Sequence, residues 1–249
     1  ELDFRGEAAR MDEWNRIMKE LGRRDVTAPE PLHRLCTSEV LTMERLHGVR
    51  VDDIAEIRRR GISSEQAEGK LIDGLHAWFQ SLIRYGFFHG DVHAGNLLIL
   101  DDGRLGFLDF GIIGRLDEER RRQIASYLMS FASRDFVALA KTMVAMGAAD
   151  GKTSSPEWEQ FATDLQDAYS PFLGKSVQDI DYRQVIPKMI RISRQHGTRL
   201  PSDFILVTRQ LLYFDRYAKL LAPTLNLFTD PRLLMTIGAE FMALGDLFR

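Results

Sequence analysis

Residues 87–96 read FFHGDVHAGN, and this stretch decides how the rest of the sequence is interpreted. Asp91 and Asn96 stand five positions apart in it. The glycines Gly90 and Gly95 make a continuous helix unfavourable here. We therefore predict a loop that carries polar side chains, placed directly after a short apolar run.

A hairpin follows this loop and ends at a third polar residue. The runs NLLIL and RLGFLDFG lie on either side of DDG at 101–103, and this pattern is typical of two strands joined by a tight turn. Asp109 stands at the far end of the second strand. The chain from Asn96 to Asp109 is long enough for a strand, a turn and a strand, so the hairpin should return Asp109 to the loop.

Asp91, Asn96 and Asp109 are the side chains that phosphoryl transfer requires. A carboxylate orients the attacking hydroxyl, and oxygen ligands hold the metal ion that neutralises the phosphates. The spacing of Asp91 and Asn96 equals that of the catalytic aspartate and the metal-binding asparagine in kinases. We predict Asp91 as the base, and Asn96 and Asp109 as ligands of Mg²⁺. The alternative is that all three are turn-forming residues.

Two histidines in the loop, His89 and His93, need separate interpretations. Their spacing would suit zinc on a helix, but no HExxH pattern is present and the loop contains glycines. We expect His89 to hold the loop by hydrogen bonds from its ring, and we group it with the cofactor-binding residues. His93 lies where kinases often place a lysine that faces the transferred phosphate, so we predict a catalytic role. A structural role for His93 is the alternative.

Patterns on both sides of the loop indicate an α+β protein. Apolar residues at helical spacing predict a helix over residues 1–22. Short β-type runs at 32–36 and 40–43 predict an antiparallel pair. A serine-capped helix should run from about 63 to Gly86. Further helices are expected near 117–132, 134–147, 156–171, 182–196 and 201–222.

Composition excludes several classes of protein. The 249 residues are 45% hydrophobic and 28% charged, as in ordinary globular domains. The formal charge of −3 argues against a nucleic-acid partner. Cys36 is the single cysteine, which excludes an internal disulfide. The sequence has no apolar run of about 18 residues, so no membrane span is predicted. The first residue is Glu1 rather than methionine, which favours a segment of a longer protein.

The motifs HGDVHAGN and LDFGIIGRL resemble the catalytic and metal motifs of the UbiB family of atypical kinases, also called ADCK proteins. ELDFRGEAA at 1–9 is similar to the family's ExD motif, residues 40–51 to its hinge, and residues 200–226 to its late helical region. The likeness covers most of the chain and is weak over the last 25 residues. It implies a protein kinase-like fold with a partial N-lobe at 1–46 and a mostly helical C-lobe at 47–249. The first would contain helix αC, a strand hairpin and the hinge, and the second the catalytic loop and the DFG hairpin.

Roles for further residues follow from this resemblance. It implies that Glu1 and Asp3 form the acidic motif, and that Glu7 is the helix-αC glutamate that pairs with a nucleotide-binding lysine. Met43 matches the gatekeeper, and Glu44 to Leu46 match the adenine-facing hinge. The implied cofactors are ATP and Mg²⁺.

The sequence also departs from the family pattern. Ala94 stands where the family favours proline, and Gly90 replaces the arginine of ordinary protein kinases. The family's KxGQ segment, alanine-rich nucleotide loop and strand lysine would all precede Glu1 and are not in this sequence. Residues 1–249 alone are therefore expected to bind nucleotide poorly and to be inactive.

The resemblance implies an atypical kinase or ATPase with a role in isoprenoid quinone (ubiquinone) biosynthesis or lipid homeostasis. Its partners would be a nucleotide and proteins or lipids of quinone biosynthesis. A cytoplasmic location is implied, which allows peripheral association with the inner face of a membrane. Two alternatives stay open, namely a small-molecule phosphotransferase of the aminoglycoside or choline kinase type, and a catalytically silent scaffold.

Overall fold

A computed structural model describes residues 3–147, 158–173, 185–222, 225 and 230–246 of the chain. In chain order the elements are α1 (Phe4–Glu20), β1 (Val26–Thr27), β2 (Gly48–Arg50), α2 (Ile54–Arg59), α3 (Ser64–Gln80), β3 (Phe87–His89), β4 (Leu97–Leu100), β5 (Leu105–Phe107), β6 (Ile113–Arg115), α4 (Glu118–Ala132), α5 (Phe136–Gly147), α6 (Trp158–Leu173), α7 (Val185–Gln195), α8 (Ser202–Leu221) and α9 (Pro231–Asp246). This succession of short strands and longer helices confirms the predicted α+β class.

The strands form two small sheets around the predicted loop. One has four strands in the order β1-β5-β4-β2, in which β1 is parallel to β5 and the other pairs are antiparallel. In the second, β3 pairs antiparallel with β6. The hairpin of β4 and β5 confirms the prediction from the DDG turn. The larger sheet includes strands from both sides of position 46, and the division into 1–46 and 47–249 stays a prediction.

The predicted strand pair at 32–36 and 40–43 is wrong. Residues His33–Leu35 form a turn of 3₁₀ helix, and a single bridge joins Pro31 to Met43. The hydroxyl oxygen of Thr37 accepts hydrogen bonds from the main-chain N–H groups of Glu39 and Val40, at 3.1 and 3.0 Å. Such local bonds from a threonine side chain compete with ladder pairing, so a turn replaces the expected hairpin.

Helix α3 is the central helix that supports the loop. Its predicted serine cap is confirmed, because Ser63 and Gln66 form a reciprocal capping box. The helix continues as a π-helical turn, Ser81–Tyr85, and stops at Gly86, whose φ of 65° is in the left-handed region. A side chain at Gly86 would also contact the Leu116 carbonyl. Glycine is therefore required where the chain leaves the helix and enters β3.

Two of the later helices, α8 and α9, pack on α3. The rings of Phe88 and Phe214 lie 5.6 and 5.9 Å from that of Trp78, so β3, α3 and α8 share one core. Helix α9 also packs on α3, although the sequence patterns had predicted no helix beyond residue 222. The expected starts of two helices, at 156–157 and 182–184, lie outside the described residues. Among the described residues, no helix is both long and apolar enough to cross a bilayer.

Candidate active site

Strand β3 places the loop at the edge of the core. The Trp78 indole N–H donates to the His89 carbonyl at 3.0 Å, and the Ser81 hydroxyl donates to the Phe87 carbonyl at 2.5 Å. Both donors are on the long helix, and both acceptors are on the strand that leads into the loop. Across the pair of strands, Gly114 lies against the Phe88 ring, where a β-carbon would not fit. The loop therefore begins from a fixed main-chain position.

His89 is fully buried and uses both ring nitrogens within the site. Its Nδ1 accepts from the Asp91 N–H at 3.1 Å, and its Nε2 lies 2.9 Å from the Leu108 carbonyl and donates to it. Burial lowers the pKa of His89, against the opposing effects of the Leu108 hydrogen bond and of nearby Asp109 and Asp91. A neutral ring with this tautomer satisfies both bonds. The geometry supports the expected loop-holding role, so any effect of His89 on a cofactor would be indirect.

Asp91 and Asn96 are joined directly. The Asn96 Nδ2 donates to the main-chain oxygen of Asp91 at 2.9 Å, and Asn96 is only 5% exposed. The Asp91 carboxylate is partly exposed, with Oδ2 at 3.8 Å from His93 Nε2. His93 Nδ1 accepts from the Gly95 N–H at 3.0 Å, which leaves the proton on Nε2 beside Asp91. The structure thus brings the predicted base, the predicted metal ligand and His93 together.

The hairpin returns Asp109 to the same place. The Leu108 N–H donates to the Asn96 carbonyl at 2.8 Å, directly before Asp109. Asp109 has a φ of 56°, in the left-handed region, and its Oδ1 accepts from the Gly111 N–H at 3.1 Å. This conformation is uncommon outside glycine and is tolerated best by Asp and Asn. The carboxylate is exposed, as a metal ligand would need to be.

Phe110 fixes the chain directly after Asp109. Its fully buried ring lies 4.8 Å from the His89 ring and 5.8 Å from the Trp14 ring on α1. Trp14 also packs on Phe107, with ring centroids 4.8 Å apart. Aromatic packing of this type therefore connects α1, the loop and the DFG segment into one unit.

Glu7, on the first turn of α1, faces the DFG segment. Its carboxylate accepts a hydrogen bond from the Phe110 main chain, and the residue as a whole is only 8% exposed. Burial, with the nearby charge of Asp109, raises the pKa of Glu7, while Arg10 and the Phe110 bond oppose the rise. A cation placed beside a carboxyl group with a raised pKa would stabilise its ionised form and lower that pKa. The family resemblance implies a nucleotide-binding lysine as the partner of Glu7.

The predicted hinge residues lie along the larger sheet. The Glu44 N–H donates to the Glu30 carbonyl at 2.8 Å, and the Glu44 carboxylate accepts from the Glu30 N–H at 3.2 Å. Leu46 packs over Gly106 of β5, the strand that leads to the DFG segment. Met43 is 38% exposed. Among the described residues, no hydrogen bond joins Met43, Glu44 or Leu46 to the loop at 87–96. Glu1 of the implied acidic motif lies outside the described residues.

A close approach between two main-chain segments favours glycine at position 90. Its N–H donates to the Ile112 carbonyl at 2.9 Å, and a β-carbon at Gly90 would lie 2.9 Å from the Ile112 Cγ2 atom. Contacts this short are not tolerated without movement of the neighbour. A side chain at position 90 would therefore require the Ile112 side chain to move.

Helix α8 contributes residues that the sequence patterns did not single out. The Val92 N–H donates to Oε1 of Gln210 at 3.0 Å, and the Tyr217 hydroxyl donates to the Val92 carbonyl at 2.9 Å. Arg209 Nη2 lies 3.3 Å from Oδ1 of Asp91. No motif in the sequence predicts these contacts, since the partners are more than 115 positions apart.

The residues at the site suit a magnesium ion. The amide oxygen of Asn96 remains for a ligand because its Nδ2 is used on Asp91, and Oδ2 of Asp109 remains because Oδ1 accepts from Gly111. One amide and one carboxylate oxygen, completed by phosphate and water oxygens, are the usual set for magnesium at a nucleotide site. Within the described ranges, no group of three or more His, Cys, Asp and Glu side chains could hold a metal by itself.

Family comparison agrees with this geometry. Residues 1–143 match the model of the ABC1 atypical kinase-like domain, and residues 165–226 match that of the UbiB helical domain. The loop that carries Asp91 and Asn96 and the DFG hairpin that follows it both lie within residues 1–143. The chain belongs to the ABC1/UbiB family of atypical kinase-like proteins, as the sequence motifs predicted.

Named relatives agree. An uncharacterized aarF domain-containing protein kinase of Arabidopsis thaliana, described as chloroplastic, is 35% identical over 94% of this chain and 46% of its own length. An uncharacterized protein of Mycobacterium tuberculosis is 37% identical over 94% of the chain and 47% of its own length. A probable protein kinase UbiB of Pasteurella multocida is 27% identical over 80% of the chain and 38% of its own length. The chain therefore spans less than half the length of these curated relatives.

A solved structure supports the fold. The Mycobacterium tuberculosis protein Rv3197, described in complex with erythromycin, aligns with a TM-score of 0.51 over 92% of this chain and 59% of its own. Its sequence identity of 21% makes this a similarity of fold alone.

Proposed function

We propose that the chain is the catalytic part of a UbiB-type atypical kinase or ATPase that uses Mg-ATP. The observation that carries the proposal is the main-chain connection between the three predicted reacting residues. Asn96 donates to Asp91, and it accepts from the residue before Asp109. A shift of any one of these residues would displace the others. Such preorganisation is what phosphoryl transfer requires of a protein.

In this proposal Asp91 accepts the proton of an attacking hydroxyl or water, while Asn96 and Asp109 hold the cation. The cation, when bound, neutralises charge on the phosphates. His93, with its Nε2 proton directed at the reacting side of Asp91, adds a donor close to the transferred group. Glu7 is the partner for the nucleotide-binding lysine of the complete protein, and Met43, Glu44 and Leu46 border the adenine. His89 supports nucleotide binding by holding the loop.

The proposed biological role is in isoprenoid quinone biosynthesis or lipid homeostasis. It is supported by the family membership and by the relatives named UbiB. A cytoplasmic protein that associates peripherally with the inner face of a membrane would suit that role. The family assignment does not favour an aminoglycoside or choline kinase, and a silent scaffold is the competing outcome for the test below.

The full-length protein tests this function directly. Mg-ATP should bind to the wild type, and turnover of ATP should fall at least about 100-fold in Asp91→Asn and in Asp109→Asn. Arg122→Gln, at an exposed position on α4, serves as the control with unchanged turnover. If both aspartate variants keep wild-type turnover and still complement a strain that lacks the protein, the proposal of an enzyme is wrong and that of a catalytically silent scaffold is favoured.

Isothermal titration of residues 1–249 alone provides a second test. We expect no binding of Mg-ATP in the micromolar range, because the lysine and the nucleotide loop are missing from this sequence and half of the phosphate-neutralising groups go with them. Micromolar binding by the segment would show that its site is complete without them.

A further inference from the structure

We propose that helix α8 supplies three positioning residues to the active site. Gln210 and Tyr217 hold the main chain of the catalytic loop, and Arg209 holds the carboxylate of Asp91. The inference rests on the proposed function, because it takes Asp91 as the reacting carboxylate. It extends the proposed active site to α8, which lies in the helical domain and outside the loop and DFG motifs.

Val92 is held on both of its polar main-chain groups. It follows Asp91 directly and is fully buried. Its N–H donates to Gln210 Oε1 at 3.0 Å, and its carbonyl accepts from the Tyr217 hydroxyl at 2.9 Å. A buried peptide group without partners would cost roughly 1–3 kcal/mol for each group. The two α8 side chains therefore determine where the peptide after Asp91 can lie.

Both holding side chains are themselves preorganised. Gln210 is fully buried, and its Nε2 donates to the Leu206 carbonyl at 3.1 Å, which directs Oε1 to the loop. Tyr217 is 1% exposed, and burial raises the pKa of its phenol, so the hydroxyl stays protonated and can donate. Residues 210 and 217 are two turns apart on one helix face, next to Phe214 in the core. The rigid helix thus carries the loop in one position.

Arg209 acts on the side chain of the base. Its Nη2 lies 3.3 Å from Oδ1 of Asp91 and 3.4 Å from the Gly90 carbonyl. The guanidinium carbon is 6.0 Å from the ring centre of Tyr213, one turn further along the helix. With Oδ1 held by Arg209, the other oxygen of Asp91 points to the side of His93 and is left for a substrate hydroxyl. The positive charge beside Asp91 thus comes from α8, while position 90 carries no side chain.

A role in packing alone predicts a different result. The apolar face of α8, with Phe214 against Trp78, already attaches the helix to the core. If Arg209, Gln210 and Tyr217 only added to that attachment, their removal would lower stability and leave turnover per folded molecule unchanged. Positioning residues instead lower kcat with little change in the KM for ATP.

The first experiment removes one hydroxyl in the full-length protein. Tyr217→Phe should lower the kcat for ATP turnover about 10-fold, because the Val92 carbonyl loses its donor and the reacting carboxylate shifts. The KM for ATP should stay within about twofold. Tyr127→Phe is the matched control, since it removes another buried hydroxyl, which lies 3.0 Å from the Tyr169 hydroxyl and makes no bond to the loop. Equal kcat values in Tyr217→Phe and Tyr127→Phe would overturn the positioning role of Tyr217.

The second experiment tests the charge at Arg209. Arg209→Ala should lower kcat about 10–100-fold, Arg209→Lys should keep part of the activity, and millimolar guanidinium ion should restore a measurable fraction to Arg209→Ala. Rescue is feasible because the Arg209 side chain is 45% exposed to solvent. Arg122→Ala provides the control at an exposed helical position. An unchanged kcat in Arg209→Ala, or a loss that guanidinium does not restore, contradicts the role of Arg209.

The same assays separate this inference from the proposed function. Asp91→Asn and Asp109→Asn are measured in parallel. If they retain wild-type turnover, the proposed function itself fails. If they abolish turnover while the α8 variants match the wild type, only the inference about α8 fails.

Discussion

The side-chain amide of Asn96 donates a hydrogen bond from Nδ2 to the main-chain oxygen of Asp91, 2.9 Å away. Its own main-chain oxygen accepts from the Leu108 N–H at 2.8 Å. Asn96 therefore joins Asp91 to the segment that leads to Asp109, and its side-chain oxygen is the atom that we propose as a cation ligand.

Asn96→Leu should abolish ATP turnover in the full-length protein and destabilise it by about 1–3 kcal/mol, since the Asp91 carbonyl loses its donor. The control is Asn15→Leu. Asn15 donates to the Ala28 carbonyl at 3.0 Å and accepts from the Ala28 N–H at 2.8 Å, and neither bond involves the loop. The Asn15→Leu variant should lose at least as much free energy of unfolding as Asn96→Leu, but it should keep wild-type turnover per folded molecule. Urea denaturation and an ATPase assay measure both; equal turnover in the two variants would contradict the prediction.

Glu7→Gln should stabilise the protein at pH 7 by about 0.5–2 kcal/mol and lower nucleotide binding. The pKa of Glu7 is raised by burial and by Asp109, so its ionised form is a cost that grows as pH rises through the folded pKa. Glutamine keeps an acceptor for the Phe110 N–H. The gain should therefore disappear near pH 4, when the glutamate is protonated in both states.

The matched control for this prediction is Glu13→Gln on the same helix. Glu13 accepts from both terminal nitrogens of Arg115, at 3.0 and 2.6 Å. Its loss should leave stability unchanged or lower it by less than about 1 kcal/mol, as expected for an exposed pair. Thermal denaturation at pH 7 and pH 4 distinguishes the two variants, and a Glu7→Gln protein less stable than the wild type at pH 7 would oppose the argument.

Stability should fall as the pH drops from about 7 to 5.5, because two histidines are held neutral in the fold. Burial lowers the pKa of His89 from the ordinary 6.5, and burial together with Arg23 lowers that of His76. Below pH 6.5 the unfolded chain takes up protons that the folded chain does not. Proton binding therefore stabilises the unfolded state relative to the folded state. His76→Gln and His89→Gln should each reduce the slope in urea titrations across this range. A slope identical to that of the wild type in both variants would refute this cause.

Two glycines of α3 should respond oppositely to alanine. A β-carbon at Gly74 would collide with the Leu105 side chain, which is fully buried, whereas nothing lies within 4 Å at Gly69. Gly74→Ala should cost about 1–3 kcal/mol through overpacking. Gly69→Ala should gain about 0.5–1 kcal/mol from helix propensity. Urea midpoints of the two variants test the close contact between α3 and β5; changes of the same sign would exclude it.

Helix α9 should depend on one buried carboxylate. Glu240 is 2% exposed, with Arg84 Nε bound to its Oε2 and Gln80 Nε2 donating to its Oε1 at 3.1 Å. Arg84→Ala should cost about 3 kcal/mol, because it leaves the charge buried. Arg16→Ala, which removes an exposed pair with Glu20, should cost less than about 0.5 kcal/mol. Thermal unfolding compares the two, and a small loss for Arg84→Ala would mean that Glu240 is solvated.

Local patterns were informative where one short segment determined the structure. The capping box at Ser63, the stop at Gly86 and the hairpin around DDG all follow from residues within a few positions of one another. The hairpin predicted at 32–36 and 40–43 is wrong because a different local interaction determines the structure there. The Thr37 hydroxyl bonds with adjacent main-chain N–H groups, and these bonds outweigh the strand propensity of the flanking runs.

The sequence by itself determined which residues we propose as the reacting set, since the spacing of Asp91, Asn96 and Asp109 is a property of one continuous loop and hairpin. Only the tertiary structure decided what holds that set in place. Arg209, Gln210 and Tyr217 reach the loop from more than 115 positions away, and Glu7 reaches Phe110 from another helix. Contacts of this kind depend on how helices pack around a shared core, and no local spacing in the chain encodes them.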